Sequence, residues 1–223
     1  MHKNIIFVIG LTGVGKSSTL EVLLHNNSQF LLLPNRRKLT DDIIIPHIQK
    51  MRGEELQKVG DRAKRFEMTA AYREIFPDGM AHVVAVYLQQ REFSTASTLV
   101  FDNLRGVNEV RGAIEKFPET TRFVMLDAPE EVRLQRLLGR QDEFDQVTLE
   151  NIMQHDAAVD GVSAQELAKA KKIIHSEKQN YDAQKTAAFL KENLSRKRLC
   201  YVDTSNHNIT QVNEIIQEWL QCT

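Results

Sequence analysis

A glycine-rich stretch near the start constrains this chain more than any other feature. Residues Gly10-Leu11-Thr12-Gly13-Val14-Gly15-Lys16-Ser17 fit the phosphate-binding pattern G-x-x-x-x-G-K-[ST]. Glycines let the backbone turn tightly and approach a polyphosphate, because no Cβ stands in the way. Successive N–H groups then point inward as an anion-binding nest. A following helix adds the partial positive charge of its N-terminus. Lys16 brings a full charge to the β- and γ-phosphates, and the Ser17 hydroxyl is a Mg²⁺ ligand of the right hardness. The candidate nucleotide contacts are therefore Gly10, Leu11, Thr12, Gly13, Val14, Gly15, Lys16, Ser17 and Ser18. The setting supports the motif. Asn4 to Ile9 is an apolar, β-branched run, the pattern of a strand buried on both faces. Ser18 to Asn27 places Leu20, Leu23 and Leu24 at helical spacing.

Composition narrows the class without adding chemistry. With 223 residues, 42% apolar and 26% charged, the chain has the length and balance of one globular domain, 1–223. A net charge of −1 gives no electrostatic case for nucleic acid or an anionic membrane. Two cysteines, Cys200 and Cys222, stand in no metal or redox spacing, which suggests a reducing compartment. Met1-His2-Lys3 runs straight into the first strand, leaving no room for a signal peptide, and no apolar run is long enough to span a bilayer. The expectation is a cytoplasmic protein. Its oligomeric state is left open.

Further apolar runs give the remaining strands. Gln29 to Leu33 is the second, ended by Pro34 and followed by Asn35-Arg36-Arg37-Lys38. Ligands of open α/β sheets bind beyond the carboxyl ends of strands, so Arg36 and Arg37 are candidates to clamp a second substrate; a solvated charge run is the alternative. Residues 35 to 95 read as a mostly helical acceptor side. Ile43, Ile44, Ile45 and Ile48 form an apolar face interrupted by Pro46, and a helix runs from Asp61 to Ile75. Arg62 and Arg65 share a face there and either line the acceptor pocket or sit in water. Pro77-Asp78-Gly79 is a turn before a helix from Met80 to Gln90.

Ser97 to Asp102 is an apolar strand ending in an acid, the pattern of a Mg²⁺-holding aspartate. Its alternative is a loop aspartate that caps the next segment. Arg105 follows as a candidate anion contact. Arg122 to Asp127 is the fourth strand, and Ala128-Pro129-Glu130-Glu131 opens a helix. That helix carries Arg133, Arg136 and Arg140 within about 60° of one another. They are read as guanidinium forks that close on a transferring phosphoryl group, against a solvated basic face. Gly139 to Thr148 reads as a short lid with Asp142, Glu143 and Asp145, and 149 to 159 as helical. A capping box at Ser163 opens one long scaffold helix reaching Leu194. A last strand at Leu199 to Val202 and an amphipathic helix through Val212, Ile215, Ile216, Trp219 and Leu220 close the chain. Strands alternating with helices make an α/β fold with a parallel sheet.

Together, the phosphate-binding loop, Asp102 and the arginine-rich helix resemble the nucleoside monophosphate kinase-like P-loop kinases. Within that group the chain is most similar to archaeal-type, adenylate-kinase-related and dephospho-CoA-kinase-like proteins. Asp102-Asn103-Leu104-Arg105 matches their Asp-Gly-x-Arg stretch, and Ala128-Pro129-Glu130 with Arg133, Arg136, Arg140 and Asp142 matches their Ser-Pro-Glu helix and acidic loop. The resemblance implies a P-loop NTPase fold, three-layer α/β/α, with five parallel strands in the order 2-3-1-4-5 and a lid over ATP. It implies ATP and Mg²⁺ as cofactors and a small-molecule phosphate acceptor, with Lys16, Arg136, Arg140 and Arg133 catalytic. Ser17 and Asp102 would hold the metal; Arg36, Arg37, Arg105 and Arg62 would meet the acceptor.

Two departures lie on the acceptor side. Asn35-Arg36-Arg37 stands where the family has an acid, and Asn103 replaces the glycine. They bear on the substrate rather than the nucleotide. A rival reading is an NTP-hydrolysing switch acting on a protein partner; another is a non-catalytic nucleotide-binding module. The chain lacks the Asn-Lys-x-Asp motif of GTPases and the Leu-Ser-Gly-Gly-Gln signature of ABC ATPases, and is short for an AAA+ motor.

Overall fold

The computed structural model describes residues 4–91, 93, 97–138 and 164–222. The first strand, β1 (Asn4–Ile9), is buried from Ile5 to Ile9, as a strand covered on both faces must be. Strands β3 (Thr98–Asp102) and β4 (Arg122–Asp127) flank it in parallel. β2 (Phe30–Leu32) and β5 (Leu199–Asp203) form the edges, so the order is β2-β3-β1-β4-β5, as the family resemblance implies. Phe7 stands in register with Phe101 and Phe123 on its two neighbours, with ring centroids 6.1 and 5.5 Å away. Phe117 closes on the same ring at 5.2 Å. This aromatic row locks the three central strands, whose carboxyl ends carry the site.

Helices cover both faces. α1 (Lys16–Asn26) packs with α10 (Ile209–Gln221). α5 (Met80–Gln89), α6 (Gly106–Lys116) and α9 (Ala183–Asn193) pack in a row. Right-handed crossovers put these two groups on opposite faces, because β1 to β2 steps one way across the sheet and the later connections step the other.

The acceptor-side stretch is more continuously helical than its sequence suggests. Asn35 accepts from the Lys38 N–H and caps α2 (Arg36–Leu39), which passes through a π-helical stretch (Thr40–Ile44) into α3 (Ile45–Arg52). Pro46 stands at the start of α3 directly after the π-helical stretch, where the register of the backbone hydrogen bonds changes, and the helical run continues through it. Asp61 caps α4 (Arg62–Ile75) through the Lys64 N–H, matching the expected helix. The rings of His47, Tyr72, Phe76 and His82 stack and cross at 4.0–6.1 Å, tying α3, α4 and α5 together.

The single scaffold helix expected from 163 to 194 is two helices. α8 (Ala164–Asn180) stops, and Asp182 accepts from the Lys185 N–H to start α9. A carboxylate cap satisfies the orphan amides of a new helix, and periodicity alone does not reveal that restart. The expected lid (139–148), the helical segment 149–159 and the Ser163 cap lie outside the described residues. Among the described residues no helix is long and apolar enough to cross a membrane, and Cys200 and Cys222 are free thiols.

Gly112 tests the packing of α6. A Cβ there would lie 2.2 Å from the Asp78 Cβ in the turn before α5. Exposed helical Gly→Ala changes gain up to about 1 kcal/mol, whereas overpacking costs about 1–3 kcal/mol. Gly112→Ala is therefore expected to lower stability, by about 1 kcal/mol or more in urea titration, against its helix propensity.

Candidate functional site

The loop after β1 takes the shape its glycines allow. Gly10 packs against the β4 backbone so closely that a Cβ would sit 2.6 Å from the Leu126 carbonyl oxygen. Gly13 has φ 90°, and its Cβ would meet the carbonyl oxygen of Arg133 at 2.9 Å. That residue lies on α7 (Glu130–Leu138). Lys16 arcs back over the loop and donates to the Gly10 and Leu11 carbonyls at 2.7 and 3.2 Å. Ser17 and Ser18 sit in the first turn of α1, with Ser17 exposed. No acid stands in that turn, so the helix end offers its N–H groups to an anion unopposed.

The arginine helix sits behind this loop. Arg133 is only 3% exposed; its Nε donates to the Thr12 carbonyl at 2.8 Å, and its Nη2 pairs with Glu177 at 2.6 Å. Arg136 donates to the Thr204 hydroxyl at 2.8 Å and carbonyl at 2.6 Å, and reaches the Gly13 carbonyl at 3.4 Å. Thr204, just past β5, bonds in turn to the Val14 and Asp127 carbonyls at 3.0 and 3.1 Å. Both arginines thus brace the loop's carbonyls here rather than facing an open phosphate site. Arg140 lies outside the described residues.

Asp102 ends β3 opposite Val8, one strand from the loop. Its Oδ1 is buried and has no hydrogen-bond partner among the described residues. Burial raises its pKa, and the charges of Lys16 and Arg105 only partly offset that. An unpartnered carboxylate oxygen at the end of β3 and a serine hydroxyl in the first turn of α1 are hard oxygen donors of the kind Mg²⁺ takes, one or two from protein with phosphates and water completing its shell. No cluster of three metal-binding side chains occurs among the described residues.

On the acceptor side, Asn103 occupies the left-handed region at φ 84°. Asparagine tolerates this conformation better than most residues, so the replacement of glycine preserves the turn. The Asn103 carbonyl accepts from Arg36 at 3.2 Å and its side-chain oxygen from Arg105 Nε at 3.2 Å. Arg36 is held by Glu109 of α6 in a two-pronged pair at 2.7 and 2.6 Å, and Glu109 also accepts from the Arg105 N–H at 2.7 Å. Desolvation and the Arg36 charge lower the Arg105 pKa, although solvent reaches its side chain. Arg37 and Arg62 are exposed, and Arg62 lies over the Phe66 ring at 5.4 Å. Arg65 pairs with Asp41 instead of facing the site. The structure therefore gathers Asp102, Asn103, Arg36 and Arg105, but not Arg62. Glu109, Glu177 and Thr204 carry no motif. Their local sequence does not set them apart: Glu177 stands among His175, Ser176, Lys178 and Gln179, and Glu109 between Asn108 and Val110.

Asp102 makes the electrostatics testable. Its raised pKa means that the ionised carboxylate destabilises the nucleotide-free fold above that pKa, and that protonation relieves the cost as pH falls through it. Asp102→Asn is expected to raise Tm at pH 8 by about 2–4 °C per kcal/mol recovered. The gap from wild type should narrow in thermal scans as pH is lowered and the Asp102 carboxylate takes up its proton.

Comparison with known proteins follows the same outline. No curated protein is matched. Among solved structures, the chain is similar to TT1252 from Thermus thermophilus (TM-score 0.55, 16% identity, covering 100% of this chain and 98% of that one). It is also similar to a sugar kinase from Janibacter sp. HTCC2649 (TM-score 0.50, 14% identity, 98% and 95% covered). At such identities the likeness is one of fold. A family profile described as an AAA domain matches residues 6–157, taking in the glycine loop, Asp102 and the arginine helix. With more than half its length matched, from β1 past α7, the chain belongs to this AAA domain family.

Proposed function

We propose that this protein transfers the γ-phosphoryl group of ATP to a small-molecule acceptor in a Mg²⁺-dependent reaction. One observation carries the reading: a pre-formed phosphate loop faces an aspartate whose buried Oδ1 is left without a partner. That oxygen is available to a cation, and it stands at the end of the strand beside β1, within electrostatic reach of Lys16. The loop amides and Lys16 bind and orient the polyphosphate, and Ser17 and Asp102 hold the metal. Mg²⁺, when bound, neutralises charge on the β- and γ-phosphates. Arg133 and Arg136 keep the loop's carbonyls turned away from the anion, so that its N–H groups face inward. Arg140, on the lid expected at 139–148, is the proposed arginine that stabilises charge in the transfer, and Arg133 and Arg136 contribute their positive charge from behind the loop. Arg105 meets the acceptor, with Arg36 and Arg37 beside it. A phosphate acceptor needs positioning and electrostatics but no strong base.

The finer assignment is to the nucleoside monophosphate kinase-like or dephospho-CoA-kinase-like group. It rests on Asp102-Asn103-Leu104-Arg105 and on the φ of Asn103, which suits the family's glycine. The fold shared with a sugar kinase is in keeping with a small acceptor. Two free thiols fit a reducing cytoplasm. The Arg36–Glu109 pair favours a second reading, an NTP-hydrolysing switch with a protein partner, because it occupies a guanidinium that an acceptor would otherwise meet.

ADP release from Mg·ATP is the test, measured across dephospho-CoA, nucleoside monophosphates, nucleosides and hydroxy acids. A strong stimulation by one acceptor is expected, falling by about 100-fold or more in Lys16→Ala, as when a preorganised charge at a transferring group is lost. Slow hydrolysis that no acceptor changes would overturn the kinase reading in favour of the switch.

A further inference from the structure

The phosphate loop is latched from the turn after β5. Thr204, in that turn, is only 3% exposed. Arg136 Nη1 donates to its hydroxyl oxygen at 2.8 Å, so that oxygen is an acceptor there and its single proton goes elsewhere. Two carbonyls are in reach, Val14 at 3.0 Å and Asp127 at 3.1 Å. The Asp127 carbonyl already accepts from the Thr204 N–H at 2.8 Å, which favours Val14 for the proton. The Val14–Gly15 peptide is trans, so its C=O and N–H point in opposite directions. With the carbonyl turned to buried Thr204, the Gly15 N–H faces away from it, at the start of α1 where the helix amides open to an anion. The loop is open at this point: a Cβ on Gly15 would meet nothing within 4 Å, whereas one on Gly10 or Gly13 would collide. Gly15 has φ 93°, and glycine takes either sign of φ at little cost, so its own backbone does not fix which way this peptide faces.

We propose that Thr204 is a positioning residue for the nucleotide's phosphates: its hydroxyl holds the Val14 carbonyl behind the loop and so keeps the Gly15 N–H turned toward the anion. Without that hydrogen bond the peptide is free to turn over. A carbonyl oxygen would then face the phosphate where an amide had faced it, exchanging attraction for repulsion. Arg136 aims the hydroxyl, since its two terminal nitrogens hold the Thr204 hydroxyl and carbonyl at 2.8 and 2.6 Å. Asp203 fixes the turn itself by accepting from the Ser205 N–H at 2.9 Å and the Ser205 hydroxyl at 2.6 Å. The proposal rests on the nucleotide-binding reading above. It adds a residue 190 positions from Val14 that acts through the loop backbone and not on the acceptor.

The test is the Kd of Mg·AMP-PNP, measured by calorimetry on wild type, Thr204→Val, Thr204→Ser, Thr186→Val and Lys16→Ala, with a thermal scan of each. Thr204→Val keeps the shape and loses the hydroxyl, so its Kd should rise about tenfold or more, the scale of one buried hydrogen bond. Thr204→Ser restores the hydroxyl and should stay within about threefold of wild type. Thr186 of α9 is also buried, and its hydroxyl donates to the Asp182 carbonyl at 2.7 Å rather than to the loop. Thr186→Val should therefore lose stability while leaving Kd within about twofold. Thr204→Ala, which sets no methyl in place of the hydroxyl, gives the same reading if Thr204→Val does not fold. An unchanged Kd without the hydroxyl, a Thr204→Ser as weak as Thr204→Val, or an equal loss in Thr186→Val overturns the proposal. Lys16-dependent binding to wild type with no loss in Thr204→Val refutes the role of Thr204 and leaves nucleotide binding standing. No binding to any form refutes both.

Discussion

A loop of glycines has no side chains with which to hold its own shape. It must nevertheless present several N–H groups to one point, which is an unfavourable arrangement when no anion is bound. The structure answers this by gripping the loop's carbonyl side. Arg133 holds the Thr12 carbonyl, Arg136 and Thr204 hold those of Gly13 and Val14, and Lys16 holds those of Gly10 and Leu11. With the oxygens engaged from behind and below, the amides have one direction left. The β4–α7 junction and the turn after β5 exist in this fold at the one place from which those carbonyls are reachable, because β4 lies beside β1 and β5 beside β4.

The same arrangement explains why Arg133 and Arg136, on one face of α7, do not simply repel. Arg133 is neutralised by Glu177 in a shielded pair, and Arg136 spends its donors on neutral carbonyl and hydroxyl oxygens. A shielded ion pair is weak evidence of net stability, since desolvation offsets most of its attraction. Its value here is geometric, in fixing α8 and α7 to the loop at a single register. The acceptor side repeats the pattern. Glu109 gathers Arg36 and the Arg105 backbone, and Asn103 supplies the left-handed turn that brings both toward Asp102.

Much of this was legible in the chain. The strands, the loop, Asp102 at its strand end and the extent of α4 follow from period and glycine spacing, which act within a few residues. Two readings based on period did not hold. Pro46 looked like an interruption but stands where the π-helical stretch passes into α3, and the run continues through it. Residues 163 to 194 looked like one helix but restart at Asp182. What Arg133 and Arg136 meet is set by residues distant in sequence, Glu177 and Thr204, which a stripe on a helix does not reveal.

The amino-acid sequence by itself determined that a parallel α/β sheet carries a phosphate-binding loop with an aspartate-ended strand nearby. Those features depend on backbone geometry and burial periods that each segment encodes locally. Only the tertiary structure decided which charges meet. Glu177 lies 165 residues from Thr12, and Glu109 lies 73 from Arg36. No local period links such pairs; they come together because the sheet order sets which helix ends crowd onto the loop, and a buried charge then requires a partner from whatever element is there.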